Sequence, residues 1–264
     1  MLIQIINALT QPKRIFRKYY ALLKSKIKQG YCIFCGKTVP LRVSGSSHRE
    51  TYRCRFCRSI LRQRHLANVI MHLYSQGNNF SSFEHFTALL KNKKIYLTQS
   101  YGHFHHAFRN FPDFICSEYL KNVPAGQTDK QGIRCEDLQK LSFPDNFFDL
   151  IISQDVFEHI AEPDLAWKEI LRVLKPGGLH IFSIPFYPGH KTAVRAKLVE
   201  GRLQLLRSRI FHGDNIRDGL VFTDFGDDLL DHLSALDLPT VIHWLNDPSV
   251  PPRVSYIFVS KARK

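Results

Sequence analysis

The sequence predicts an α/β protein, a doubly wound and mostly parallel sheet behind a small cysteine-bearing N-terminal module. Three observations predict it. Residues 143–185 read as strand, helix, tight turn, strand. From Lys94 onward short strand and helix signals alternate, the mark of an open parallel sheet. Ahead of that alternation stand two CxxC pairs, Cys32 with Cys35 and Cys54 with Cys57.

Within 143–185, Phe148–Ser153 is a short apolar run ending in polar residues. Pro163–Leu174 has helical periodicity, with Leu165, Trp167, Ile170, Leu171 and Leu174 apolar and Lys168, Glu169 and Arg172 between them. Lys175-Pro176-Gly177-Gly178 stops that helix, because proline cannot continue it and glycine tolerates the turn. Leu179–Ile184 is a second apolar run, closed by Pro185. The unit is βαβ, and ligands of such sheets sit at the carboxyl ends of the strands. That end is Ser153-Gln154-Asp155 and the loop into Glu158-His159.

A chain of 264 residues with 44% hydrophobic content can bury a sizeable core. No apolar run approaches the roughly 20 residues that span a bilayer. MLIQIINALTQ lacks a basic leading segment and a small-residue cleavage site, so no signal peptide is expected. The net charge of +14 lies wholly in residues 1–75, which hold 15 Lys and Arg against one acid, Glu50. That quarter either meets an anionic partner, an acidic membrane surface or RNA, or forms a solvated basic face. The six cysteines fit no disulfide framework: four are paired in CxxC motifs, and Cys116 and Cys135 lie singly in apolar surroundings. A reducing cytoplasmic setting is expected, with the option of peripheral attachment at the inner membrane surface.

Three units follow. Residues 1–30 form a basic amphipathic helical segment, with Ile15, Phe16, Tyr19, Tyr20, Leu22, Leu23 and Ile27 among Lys and Arg. Residues 31–75 form a zinc ribbon plus a helix. The C-x2-C-x18-C-x2-C spacing of Cys32, Cys35, Cys54 and Cys57 aims four sulfurs at one point, a closed structural zinc site with no catalytic position. Arg53, Arg55, Arg58, Arg62 and Arg64 crowd the second pair, where they offset thiolate charge or meet phosphate. Ser59–Tyr74 reads as a helix, and Gln76-Gly77-Asn78-Asn79 breaks the chain. Residues 76–264 form the α/β domain. Its expected elements are helices at Phe83–Leu90 and His103–Arg109 and strands at Ile95–Thr98, Phe114–Ser117 and Gly132–Cys135. After the opening unit come a helix around Asp224–Leu236 and strands near Thr240–Trp244 and at Ser255–Ser260, the last two as an antiparallel edge.

Acids follow successive strands. Glu118 ends the second, where a carboxylate accepts both hydroxyls of a ribose. Asp137 follows the third, placed for an exocyclic amine, with the Leu138 amide beside it for a ring nitrogen. Together they would hold an adenosine; alternatively they are surface carboxylates, and Asp137 a helix N-cap.

FPDNFFDLIISQDVFEHI followed by EILRVLKPGG resembles the class I S-adenosylmethionine-dependent methyltransferases, in the branch described as type 11. ICSEYL and CEDLQKLSFPD resemble that family's second and third cofactor motifs, and the likeness covers roughly residues 94–260. It implies a Rossmann-like methyltransferase sheet with an antiparallel last strand, and S-adenosylmethionine as cofactor. Glu118 matches the acid that holds the cofactor ribose, and Asp137 the acid at the adenine amine, with Leu138 beside it. Ser153 and Gln154 match the loop at the methionine and methyl end. Asp149 matches a structural acid. The first motif departs from acid-x-Gly-x-Gly: Tyr96-Leu97-Thr98-Gln99-Ser100-Tyr101-Gly102 has no acid and keeps only Gly102, so Thr98 and Gly102 are its remaining cofactor-side positions. The side chains of Gln99 and Tyr101 must point away from the cofactor or replace its contacts. The same pattern recurs in a zinc-ribbon subgroup that this chain resembles, also at SEYL, FHGD and DFG, with surface-polysaccharide or secondary-metabolite contexts.

The expected reaction is displacement at a sulfonium methyl, in which the protein supplies positioning and, for an oxygen nucleophile, a base. Candidates are His159, and His212 with Asp214 in Phe211-His212-Gly213-Asp214. The cluster His103, His105 and His106 invites a metal reading, but two histidines at i and i+2 do not share a helical face, which argues against it. The leading expectation is O-methylation of a small-molecule or glycan acceptor. An RNA methyltransferase and a methyltransferase-like binding protein without activity are the alternatives.

Overall fold

The computed structural model describes residues 27–42, 50–211, 219–244 and 255–263. The expected segment 1–30 lies almost entirely outside them, as do His212 and Asp214. Three antiparallel strands form the ribbon: β1 (Ile27–Cys32), β2 (Lys37–Arg42) and β3 (Arg53–Cys54), in that order. Then come α1 (Leu61–Tyr74), α2 (Phe83–Thr87), β4 (Ile95–Leu97), α3 (Gly102–Phe108) and β5 (Phe114–Cys116). The central unit is β6 (Phe148–Gln154), α4 (Pro163–Val173) and β7 (Leu174–Ser183). An excursion follows, with β8 (Phe186–Tyr187), β9 (Ala193–Val194), β10 (Ala196–Val199), β11 (Arg202–Leu205) and β12 (Thr223–Gly226). The described chain closes with α5 (Leu229–Ala235), β13 (Thr240–Trp244) and β14 (Tyr256–Lys261).

The main sheet has the order β13-β14-β7-β6-β4-β5. The four strands from β5 to β7 run parallel, and β14 and β13 add an antiparallel edge, as expected. The chain leaves β4 for β5 on one side and returns to β6 on the other. The crevice between β4 and β6 is therefore the switch point where such sheets bind ligands.

Alternation along each strand divides the core into two layers. Tyr96, Ile151, Phe182 and Phe258 face one layer, with Trp167 and Ile170 of α4 and Leu229 and Leu233 of α5. Ile95, Leu97, Leu150, Ile152, Ile181, Ile257 and Val259 face the other, with Leu66 and Ile70 of α1, Phe83 and Phe86 of α2, and Phe104 and Phe108 of α3. Burying each such side chain contributes about 1.5–3 kcal/mol. The helix that follows the ribbon thus belongs to a layer covering the sheet, and β1 starts at Ile27, ahead of residue 31.

Two expected elements differ. Gly132–Cys135 forms only isolated bridges, Glu118 with Cys135 and Thr128 with Arg134. The segment folds back on itself instead, with Cys135 N–H donating to Gln127 O at 2.7 Å and Gly126 N–H to Cys135 O at 2.8 Å. The helix expected from Asp224 begins at Leu229, because Thr223–Gly226 pairs with both β8 and β9.

Candidate functional site

The two CxxC turns are built alike. Gly36 N–H donates to Cys32 O at 2.8 Å and Arg58 N–H to Cys54 O at 3.0 Å. The residue that closes each turn has positive φ, +64° at Gly36 and +66° at Arg58. Glycine adopts this freely, whereas Arg58 is held there at a cost. The ligand atoms of Cys32, Cys35, Cys54 and Cys57 all lie within 4.8 Å of one another. Cys32 and Cys57 sulfurs are 3.5 Å apart, and those of Cys35 and Cys54 are 3.7 Å apart. Four thiolates around one zinc stand about 3.8 Å apart, so the donor set fits a closed tetrahedral site. Contact with Cys57, and then burial, pushes the Cys32 thiol up to about 12, while the same contact pulls Cys57 down. Ser59 Oγ lies 3.3 Å from the Cys32 sulfur and 3.2 Å from that of Cys57, and Arg64 donates to Ser59.

The ribbon is fixed to the domain beside the first-motif loop. Phe34, from the first CxxC turn, packs edge-on against Phe83 and Phe104 and lies 4.7 Å from the His103 ring. His103 Nε2–H donates to Cys57 O at 2.8 Å. His103 is thus a clamp between the ribbon and α3, a role its sequence neighbourhood did not signal.

At the switch point, β4 ends at Leu97, and Thr98 N–H still donates to Ile152 O at 3.1 Å. The Thr98 hydroxyl is buried and has no hydrogen-bond partner among the described residues. Such an orphaned group at a strand end is suited to a ligand. Glu118, just past β5, takes two bonds on Oε1, from Ser100 N–H at 2.8 Å and from Ser100 Oγ–H at 2.9 Å. Ser100 therefore fixes the Glu118 carboxylate. Asp137 Oδ1 accepts Gln139 N–H at 2.9 Å and the Gln139 side-chain amide at 3.3 Å, with Leu138 buried beside it. Its neighbour Glu136 is structural: buried, it receives Arg134 and both the N–H and hydroxyl of Ser142.

The altered first motif has its own geometry. Gln99 Nε2 donates to Tyr101 O at 3.0 Å, and Gln99 Oε1 accepts Gln154 Nε2 at 2.9 Å. This pair of amides spans the crevice between the ends of β4 and β6. Gly102 has φ +91°, which favours glycine, and a Cβ there would make a tight contact of 3.2 Å with Gln99 Nε2. The Tyr101 side chain is exposed.

Ser153 is buried, and its hydroxyl meets His180 Nε2 at 2.8 Å inside the core, so only its backbone remains at the strand end. Asp149 joins the sheet's other end, accepting Lys94 N–H at 2.8 Å and pairing with Lys175 at 2.7 Å. Burial opposes its charge, but Lys175 and the Lys94 amide outweigh burial and hold its carboxyl below the usual range.

Arg62 is the residue that sequence reasoning misplaced. It does not offset the thiolates. It reaches from α1 to the carboxyl ends of β6 and β7, with Nε 3.1 Å from Asp155 and 2.8 Å from Glu50. Nη1 donates to Ser183 Oγ at 3.2 Å and more weakly to Gln154 Oε1 at 3.5 Å. Burial works against this charge, yet Asp155 and Glu50, and then Glu158, hold the guanidinium above its ordinary value. A line of contacts therefore runs from the ribbon helix through Gln154 and Gln99 to the first-motif loop.

Past β6, His159 Nδ1–H donates to Leu220 O at 2.9 Å. A carbonyl only accepts, so the neutral ring carries its lone pair on Nε2, which lies 3.7 Å from the buried Glu158 carboxylate.

Residues 114–182 match the methyltransferase-domain family Methyltransf_11. The uncharacterized protein YafE of Escherichia coli (strain K12) is 38% identical over 71 residues, 27% of this chain and 30% of that protein. The ubiquinone/menaquinone biosynthesis C-methyltransferase UbiE of Chromobacterium violaceum is 48% identical over 50 residues, 19% of this chain and 20% of that protein. The chain thus spans less than a third of the length of these curated relatives. A solved complex between the Haloferax volcanii Trm112 methyltransferase activator and a candidate methyltransferase aligns at 15% identity over 77% of this chain and 90% of that one, with a TM-score of 0.45. The matched stretch runs from β5 through β7, so this part of the α/β domain is similar to the methyltransferase-domain family Methyltransf_11.

Proposed function

We propose that the chain transfers a methyl group from S-adenosylmethionine to an oxygen of a small-molecule or glycan acceptor, with a structural zinc in the ribbon. The observations that support it most are the orphaned Thr98 hydroxyl past β4, the Glu118 carboxylate fixed by Ser100 past β5, and Asp137, two residues beyond the Cys135 that bridges Glu118. Glu118 Oε2 would take the ribose hydroxyls while Oε1 stays with Ser100. Asp137 would take the adenine amine and the Leu138 amide a ring nitrogen. The Gln99–Gln154 amide pair would stand in for the missing glycines at the methionyl end. The cofactor would supply an electrophilic methyl on a good leaving group, so the protein's work is to position the acceptor, exclude water and take its proton. His159, just past β6 with Nδ1–H on Leu220 O, would be the candidate base for an oxygen acceptor. In the ribbon, Cys32, Cys35, Cys54 and Cys57 would hold zinc with no position left for substrate.

Calorimetry with S-adenosylhomocysteine tests the proposal. Wild type should bind in the micromolar range. Asp137→Ala should lose most of that affinity, and Asp137→Asn, which keeps the Gln139 turn, should lose part of it. Absence of binding by the zinc-loaded wild type would reject the enzymatic function.

A further inference from the structure

The β10–β11 hairpin has no place in the site described above, and its chemistry is unusual. After the buried Ala196, every residue from Lys197 to Arg209 is exposed. A soluble hairpin normally buries one face, yet here both are bare. The register pairs Ala196 with Leu205 and Leu198 with Leu203, and residues opposite one another share a face. Leu198, Leu203 and Leu205 therefore form one apolar row, exposed at 49%, 43% and 40%, and Leu206, just past β11, is exposed at 49%. Lys197, Val199, Arg202 and Gln204 line the opposite face. Cations dominate the stretch: Lys197, Arg202, Arg207 and Arg209 against Glu200 alone, with no ion pair to those four among the described residues. Among the described residues, Arg195 at the base of the hairpin pairs with Asp224.

The base is tied to the acceptor side of the site. Arg195 and Ala196 N–H groups donate to Phe222 O at 2.7 and 3.3 Å, and Phe222 N–H donates to Glu158 O at 2.7 Å. The hairpin is thus rooted on residues 220–222, the segment ahead of β12 that also anchors His159 through Leu220.

We propose that this hairpin docks the protein on an anionic lipid bilayer, its leucine row entering the headgroup boundary while the cations meet lipid phosphates. Apolar side chains flanked by exposed Lys and Arg, with one acid, match that interface in both polarity and charge. A second copy of the chain is disfavoured as the occupant, since two such hairpins would bring like charges together. Docking here would set the acceptor side of the crevice against the membrane, and it holds whether or not the chain transfers methyl groups.

Sedimentation of the full chain with vesicles tests it, comparing phosphatidylcholine alone with phosphatidylcholine mixed with phosphatidylglycerol. Wild type should bind the mixed vesicles and not the neutral ones. Leu198→Ser/Leu203→Ser/Leu205→Ser keeps every charge, including the basic residues 1–26, and should weaken binding by roughly tenfold or more. Arg202→Gln/Arg207→Gln should weaken it by a similar factor and flatten its salt dependence. Because these side chains are exposed, thermal unfolding should be unchanged, and the charge pair still tests the proposal if the leucine triple fails to fold. Binding that survives both variants would place the membrane contact elsewhere and overturn the inference. So would a wild-type dimer converted to monomer by the leucine triple, since the row would then cover a second copy. Failure of wild type to bind the mixed vesicles overturns it outright.

Discussion

Replacing Arg62 with methionine should cost the protein about 3 kcal/mol. Its side chain is 11% exposed, against 23% for Asp155 and 44% for Glu50. The Glu50 arm reaches solvent, and such pairs contribute about 0–1 kcal/mol. The Asp155 arm dominates. Removing one partner of a buried pair costs about 3–5 kcal/mol, because the other charge is left behind without compensation. Asp155 keeps Ser183 Oγ at 3.2 Å and some access to water, which places the loss at the low end of that range. Methionine retains part of the apolar stem. For a chain of this size, 3 kcal/mol lowers the melting temperature by about 6–12 °C. Arg62→Lys should fall between, since it keeps the charge and loses the fork that reaches Asp155, Glu50 and Ser183 together. The assay is thermal unfolding of zinc-loaded protein, with metal content measured on the same samples. A double-mutant cycle with Asp155→Asn should then show a coupling of about 1.5–3 kcal/mol. A coupling under about 0.5 kcal/mol would refute the reasoning, because it would mean that the guanidinium and Asp155 do not depend on each other.

Two further outcomes follow from the same geometry. Purified protein should carry one zinc per chain by elemental analysis, and Cys54→Ser should lose it together with the ribbon's protection from proteolysis; full zinc content in that variant would sink the four-thiol assignment. His180 is wholly buried, and burial lowers its pKa to about 3, so the folded state keeps it neutral while the unfolded chain takes up a proton below about 6.5. Stability contributed by this group is present at neutral pH and falls as pH drops from about 6.5 toward 3, with a loss of about 2 kcal/mol between pH 7.5 and 5. His180→Gln should flatten that slope in denaturant titrations, and an unchanged slope would contradict it.

The position of Glu118 was legible because it depends on a rule local to the chain: a carboxylate just past an apolar strand lies at the sheet's carboxyl end, here past β5. Asp137 was placed by the same rule after Gly132–Cys135, which forms only isolated bridges. Phe148–Gln154 and Pro163–Val173 were legible for the same reason, since each is defined by its own periodicity and its own stop signals. Thr223–Gly226 was not. It is a strand only because β8 and β9 lie on either side of it, and the apolar pattern that runs on into α5 reads locally as one helix. Arg62 and Arg64 show the limit most sharply. Two residues apart on a helix, they point about 200° apart, so one meets the ribbon at Ser59 and the other the sheet at Asp155. Proximity to the cysteines in sequence had placed both in one role. The first motif carried the same kind of information: which way the Gln99 side chain points was not legible because its partner, Gln154, stands 55 residues away. Once that pair is seen, glutamine at 99 and glycine at 102 support each other, since a Cβ at 102 would make a tight contact with the Gln99 amide. The loop is therefore built, not decayed, and its support comes from the ribbon helix through Arg62.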